Sequence, residues 1–370
     1  MGFEKVAMAK IWIGYVSCGL GHKKAGLSLA EVFDKDSPYI FNLLDFSFLK
    51  IFYEEGYRFL VEKLPLLWHL IYRLYFLEPF KTYLLYFHLF VFRNFVKEVI
   101  EKEPSVLIST HFFVSQIIAY LKSQKRIRAK LITVITDYGV HPLWLNKFTD
   151  YYIVSSQEQL NLISKKLSFP EERIKIYGIP LRRGFFKQQD LKSLEEKYRK
   201  PSKLFSILLF SSAFGLGPFV EIIKKFYKKC GIFVIYGRNK KVKNFLNSLK
   251  EPLYLLSFEY KEEIWELVEL SDIIITKPGG ISVTEAIIKK KSLLFMHYFP
   301  GQELDNLNYI LKNKLGFYPK NTEELLALID NLIKDRDILL KIRENFKKVE
   351  LGDSALKVKK LALKLLKNDS

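Results

Sequence analysis

Along the chain, short apolar runs rich in β-branched residues alternate with longer stretches whose apolar positions recur at helical spacing. Ile11–Val16, Val106–Ser109, Leu131–Thr136, Tyr151–Val154 and Ile174–Tyr177 read as strands of a first sheet. The same rhythm returns in Phe205–Phe210, Ile232–Tyr236, Leu253–Leu256, Ile273–Thr276 and Ser292–Met296. Strand–helix alternation of this kind predicts an α/β protein with parallel sheets. Two Rossmann-like domains are expected, residues 1–190 and residues 203–350, connected through Asp190–Ser202, a Lys- and Glu-rich segment that contains Pro201. A last segment, 355–370, holds a helical pattern from Ala355 to Leu366 that is expected to pack back on the first domain. A chain of 370 residues is also long for one hydrophobic core, and a cleft between two domains is a natural ligand site. Ligands of such sheets bind beyond the carboxyl ends of the strands, so the loops directly after them are where chemistry is sought.

Composition narrows the class. Apolar residues make up 49% and charged residues 27%, with no Gly/Ser linker, so folded structure is expected nearly throughout. The two cysteines, Cys18 and Cys230, have neither CxxC nor Cys/His spacing, which predicts no disulfide framework and no metal site, and fits a reducing compartment. The run Ile11–Ser17 is too short for a signal-peptide core and leads into glycines, so the mature chain is expected to start near Met1. A formal charge of +19 asks for a partner that favours positive potential, and nucleic acid and anionic membrane both qualify. Basic clusters occur at Lys122, Lys125, Arg126, Arg128 and Lys130, at Lys224, Lys225, Lys228 and Lys229, and at Lys289–Lys291.

Aromatic residues separate these partners. Between Phe46 and Phe92 they supply 16 of 47 positions, interleaved with Lys, Arg and His, against 15% for the whole chain. Such a surface seeks a membrane interface. It does not span one, because its longest uncharged stretch, Thr82–Phe92, falls far short of the roughly 20 residues a spanning helix needs. No recognisable nucleic-acid module accompanies the charge, so nucleic acid is not expected as a partner.

Three glycine-bearing loops follow predicted strands: Ser17–His22, Ser211–Gly217 and Lys277–Ser282. Glycine lets backbone approach a ligand, and the free N–H groups of the helix each loop opens favour an anion such as a diphosphate. None is a Walker loop or a full GxGxxG fingerprint, but three in equivalent positions argue together. Glu285 is expected in the first turn of the helix after the third loop, where a carboxylate can accept from the paired hydroxyls of a ribose. Gln302 and Asn306 stand four apart after Pro300 and Gly301, hence on one helix face suited to hexose hydroxyls.

These residues resemble the glycosyltransferases that include monogalactosyldiacylglycerol synthase and the processive diacylglycerol glucosyltransferases. The resemblance rests on Gly19–His22, on Val134–Tyr138 with His141–Trp144, and on Tyr177–Pro180 in the first half. In the second half it rests on Phe214–Gly217, Gly237–Asn239, Lys277–Gly280 with Glu285, and Pro300–Glu303 with Asn306. Several of these motifs also resemble the related peptidoglycan N-acetylglucosaminyltransferase.

The resemblance implies a GT-B fold and inverting transfer of glucose or galactose from UDP-glucose or UDP-galactose to diacylglycerol. It gives the donor contacts to Gly21, Ser212, Phe214, Gly215, Arg238, Phe258, Lys277, Gly279, Gly280, Ser282, Glu285, Gln302 and Asn306, and the acceptor contacts to Trp144 and Pro180. His22, with its reference pKa near 6.5, is the preferred general base, and Asp137 and His141 are alternatives. Helix-end N–H groups near Ala213 and Gly280, with Arg238 or Lys277, would stabilise the departing diphosphate, so neither cofactor nor metal is expected. The expected location is cytoplasmic, peripheral on the inner face of the cell membrane. Competing readings are N-acetylglucosaminyl transfer to an undecaprenyl-linked precursor and a UDP-sugar epimerase.

Overall fold

A computed structural model describes residues 10–33, 37–74, 77–210, 217–298, 301–349 and 351–368. The chain divides into two compact units. One comprises residues 1–183, 299–305 and 351–370, the other residues 184–298 and 306–350.

The first unit holds a six-stranded sheet of β1 (Ile11–Tyr15), β2 (Tyr39–Asn42), β3 (Val106–Ser109), β4 (Lys130–Val134), β5 (Tyr151–Val154) and β6 (Ile174–Ile176), all parallel and ordered β2-β1-β3-β4-β5-β6. Its central strands are buried on both faces. Trp12, Leu107 and Leu131 pack on one side with Phe92, Phe95 and Ile117, while Ile13, Ile108 and Ile132 pack on the other with Leu29 and the terminal helix Ser354–Asn368. That helix contributes Ala355, Val358 and Ala362, and the Ser354 hydroxyl donates to the Gly178 carbonyl at 2.7 Å. Gly178 has φ +85°, a backbone state that a side chain would strain.

The second unit repeats the plan with β7 (Ser206–Phe210), β8 (Gly231–Ile235), β9 (Tyr254–Phe258), β10 (Ile273–Thr276), β11 (Ser292–Phe295) and β12 (Gly316–Phe317), parallel and ordered β12-β11-β10-β7-β8-β9. Ten of these twelve strands coincide with the ten predicted runs, with no end moved by more than two residues. The two not anticipated, β2 and β12, are short edge strands, and Asp190–Ser202 contains a helix, Leu191–Tyr198, which Asp190 caps by accepting from Lys192 and Ser193 N–H.

Both sheets reverse direction of growth in the middle. In the first, the chain leaves β1 for β2 on one side and returns to β3 on the other. In the second, the reversal falls between β7 and β10. At such switch points the loops after the two neighbouring strands diverge and open a crevice. Among the described residues, the loops concerned are those after β1 and β3 in the first unit and the one after β10 in the second.

Candidate active site

At the first switch point, the chain leaves β1 through Gly19, whose φ of 83° and ψ of 161° suit glycine, and enters the helix Leu20–Glu31. His22 stands in the first turn of that helix and is buried. Its Nδ1 lies 2.8 Å from the Thr110 carbonyl oxygen beyond β3 and 2.8 Å from the Thr136 hydroxyl beyond β4. A carbonyl can only accept, so Nδ1 carries the proton and Nε2 keeps the lone pair. The Thr110 hydroxyl returns a bond to the His22 carbonyl at 3.0 Å, tying the helix start to the β3 loop.

His141 and His111 have the opposite tautomer. His141 caps the short turn Pro142–Trp144, with Nδ1 accepting from Leu143 N–H at 3.3 Å, and His111 caps the helix Phe112–Ser123, with Nδ1 accepting from Phe113 N–H at 3.2 Å. In each neutral ring Nε2 is therefore the donor. Of the two histidines read from the sequence as candidate bases, His22 alone is arranged to accept a proton through Nε2. Burial lowers its pKa to about 4, an effect partly opposed by the Thr110 carbonyl, so the ring rests neutral at physiological pH.

Asp137 follows β4 and is buried. Gln159 fixes the loop it begins, donating through Nε2 to the Asp137 carbonyl at 2.8 Å and to the Gly139 carbonyl at 3.0 Å, while its Oε1 accepts from Ser155 N–H. His22, His111, Asp137, His141, Trp144 and Asp305 line one cavity of about 470 Å³, whose remaining wall is mostly apolar and includes Phe52, Tyr53, Phe59, Leu60, Trp68 and Phe113. Gly21 sits in the first helical turn beside His22, and Pro180 is buried outside the residues that line the cavity. Thr110, Thr136 and Gln159 were not anticipated as site residues.

In the second unit the loop after β10 is held from behind. Asn306, fully buried on the helix Gln302–Lys312, donates through Nδ2 to the Pro278 carbonyl at 2.9 Å. Lys277 Nζ hangs over Gly279, 3.8 Å from where a Cβ there would stand. Gly279 caps the helix Gly280–Lys289, leaving its first N–H groups for an anion. Ser282 is half-buried in the first turn of that helix. Glu285 corrects an expectation: the helix begins at Gly280, so Glu285 is its sixth residue and lies buried in the second turn. Arg238 is exposed after β8, and Phe258 closes β9. The two loops are tied by Tyr236 N–H donating to the Phe258 carbonyl at 2.9 Å and Gly237 N–H to the Glu259 carbonyl at 3.1 Å. Ser212, Phe214 and Gly215 lie outside the described residues, as does the side chain of Gln302.

Around the first unit's cavity, the helices Lys50–Lys63, Pro65–Leu74 and Glu78–Val91 expose Ile51, Phe52, Leu66, Tyr83 and Phe90 at 60% or more, as does Phe48 just before the first of them. Among the described residues, no helix is long and apolar enough to cross a membrane, and no group of His, Cys, Asp and Glu is arranged to hold a metal ion.

A family model for monogalactosyldiacylglycerol (MGDG) synthase matches residues 22–181, the stretch that carries His22, Asp137 and His141. The chain is 29% identical over 277 residues to a processive diacylglycerol beta-glucosyltransferase of Staphylococcus carnosus (strain TM300), covering 74% of this chain and 70% of that protein. A Bacillus cereus (strain AH187) protein of the same description is 28% identical over 253 residues, covering 67% of this chain and 64% of its own length. Among solved structures, Acinetobacter baumannii MurG superposes with a TM-score of 0.61 at 10% identity, covering 96% of this chain and 99% of that one. The fold is GT-B, and the sequence resembles the monogalactosyldiacylglycerol synthase and processive diacylglycerol glucosyltransferase family.

Proposed function

We propose that this chain is an inverting glycosyltransferase that moves a hexose from UDP-glucose or UDP-galactose to diacylglycerol at an anionic membrane surface. The observation that carries the reading is His22, neutral and fixed by Thr110 with Nε2 as acceptor, on the wall of a cavity that is otherwise largely apolar. That pairing suits a lipid hydroxyl that must lose its proton. The relatives named above, both described as acting on diacylglycerol, support the acceptor class.

In the proposed reaction the acceptor oxygen attacks the anomeric carbon and its proton passes to His22 Nε2. The bond from that carbon to the UDP phosphate oxygen breaks, and UDP leaves with the electron pair. The imidazolium so formed keeps its Nδ1–H bond to Thr110, which holds the ring in place through the transfer. His141, with Nε2 as donor, orients the acceptor oxygen. The free N–H groups at Gly280, with Lys277 and Arg238, stabilise the departing diphosphate, and Asn306 keeps the Lys277–Gly279 loop in the required shape.

The deciding experiment offers radiolabelled UDP-glucose and UDP-galactose with vesicles that contain diacylglycerol, an undecaprenyl-linked acceptor, or neither. Labelled lipid formed only with diacylglycerol is the expected result, and it identifies the sugar. Product on the undecaprenyl acceptor alone, or sugar turnover without lipid, would overturn the reading.

The exposed apolar side chains on Lys50–Val91 supply the membrane contact, and Lys63, Arg73, Arg93, Lys125, Arg126 and Arg128 are exposed on the same unit. Arg93 lies over the Phe90 ring at 5.4 Å, a cation beside a ring that suits the headgroup level. Each such cation contributes about 1 kcal/mol at an anionic surface. Vesicle sedimentation should therefore fall steeply between low and high salt. Leu66→Asp combined with Tyr83→Asp is expected to weaken it at least tenfold while leaving UDP binding intact, since both side chains are about three-quarters exposed or more (81% and 75%). Binding indifferent to salt and to anionic lipid would remove this part of the proposal.

A further inference from the structure

We infer that the cavity beside His22 is an acyl-chain site: one fatty acyl chain of the lipid acceptor enters it, and burial of that chain presents the glycerol hydroxyl to His22. The inference rests on the lipid-acceptor reading above and adds to it a physical basis for acceptor choice. The cavity has two chemically different ends. His22, Asp137, His141 and Asp305, the last packed against Gly139, make the polar one. The far wall comes from the helices Lys50–Lys63 and Pro65–Leu74, through Phe59, Trp68 and Ile71. Its volume of about 470 Å³ lies in the roughly 300–1,000 Å³ range of sites that enclose small ligands.

Two further observations identify the occupant as a chain arriving from a bilayer. Phe52 and Phe59 line the cavity and are also 72% and 56% exposed, so its wall continues into the exposed apolar surface, and a chain can pass inward without meeting water. Gly56, midway along Lys50–Lys63, also lines the cavity, and a Cβ built there meets no atom within 4 Å. Glycine inside a helix costs stability relative to alanine. Here it keeps space on the cavity wall that any side chain would take up.

The test uses the full chain and water-dispersed diacylglycerols of increasing chain length. Each methylene withdrawn from water strengthens binding about fourfold, so KM for the wild type should fall by about that factor per buried methylene until the cavity is filled. Gly56→Phe should flatten this dependence and raise KM for the longer chains at least tenfold, with Gly56→Ala intermediate. Independently of activity, a diacylglycerol brominated midway along its chains should quench Trp68 and Trp144 in the wild type and do so much less in Gly56→Phe. UDP binding and thermal midpoint verify that the variant is folded. A folded Gly56→Phe with wild-type chain-length dependence and wild-type quenching would overturn the acyl site and leave the transferase reading intact. Quenching that Gly56→Phe abolishes, in a protein that glycosylates no diacylglycerol, would uphold the site and remove that reading.

Discussion

Replacing His22 with alanine is expected to lower kcat for sugar transfer by about a thousandfold, within the 10²–10⁴ contribution of a positioned general base. The expectation comes from hydrogen bonds, not from the residue type alone. The Thr110 carbonyl can only accept, so it commits His22 Nδ1 as a donor and leaves Nε2 as the base. The pKa of about 4 ensures that the ring is neutral before the reaction, while its contact with Thr110 supports the charge it acquires. His141→Asn provides the contrast. Asparagine can keep the cap by accepting from Leu143 N–H while it removes the Nε2 donor, so a loss of about tenfold is expected. Initial rates with saturating UDP-sugar, together with UDP binding by calorimetry, check both. If His141→Asn were as inactive as His22→Ala, the assignment of roles from the tautomers would fail.

Much of the fold was legible because buried parallel strands are short, dense in Ile, Leu and Val, and bounded by helices of a different period. Ile273–Thr276 and Val106–Ser109 coincide with their predicted runs to the residue. Strand ends drift where polar residues still pair, as at Lys130, which begins β4 although its side chain is charged. Tyr39–Asn42 escaped notice because this edge strand, with Ile40 exposed, offers an apolar run of only three residues, Tyr39–Phe41.

The site was legible to a different depth. Glycine loops after strands, and histidines beside them, stand out in a sequence because both residue types are restrictive. His22 and His141 remain equivalent at that level. What distinguishes them is a backbone carbonyl at Thr110, and any residue supplies a carbonyl, so no side-chain signal existed. Gln159 escaped for a similar reason: its amide holds Asp137 and Gly139 through their main chains, from a helix with no marking of its own. Glu285 was placed a turn too early because the helix was taken to begin later in the Lys277–Ser282 loop than Gly280, where it starts.

Acidification should unfold the first unit over a narrow range, with a proton uptake close to three. His22, His88 and His111 are all buried and neutral. Burial takes His22 to about 4 and His88 to about 3, and lowers His111 well below its ordinary value, with the neighbouring His22 and His88 adding to that effect. The unfolded chain titrates these rings near 6.5, so below that pH it binds protons that the folded unit refuses. Stability from these groups is complete above pH 6.5 and declines as pH falls toward about 4, where His22 begins to be protonated in the folded state as well. Three protons correspond to about 4 kcal/mol per pH unit over the steep part of this range, against about 5–15 kcal/mol for a typical domain. His88 is the group to change. It sits among Tyr53, Phe92 and Phe113, and neither ring nitrogen has a hydrogen-bond partner among the described residues. His88→Leu removes an unsatisfied polar ring from an apolar setting, so it should stabilise the unit by about 1–3 kcal/mol at pH 7.5 and reduce the acid slope by about a third. Urea unfolding followed at a series of pH values measures both quantities. A wild-type slope of one proton or fewer, or a His88→Leu variant with the wild-type acid midpoint, would contradict the burial of these imidazoles as the cause.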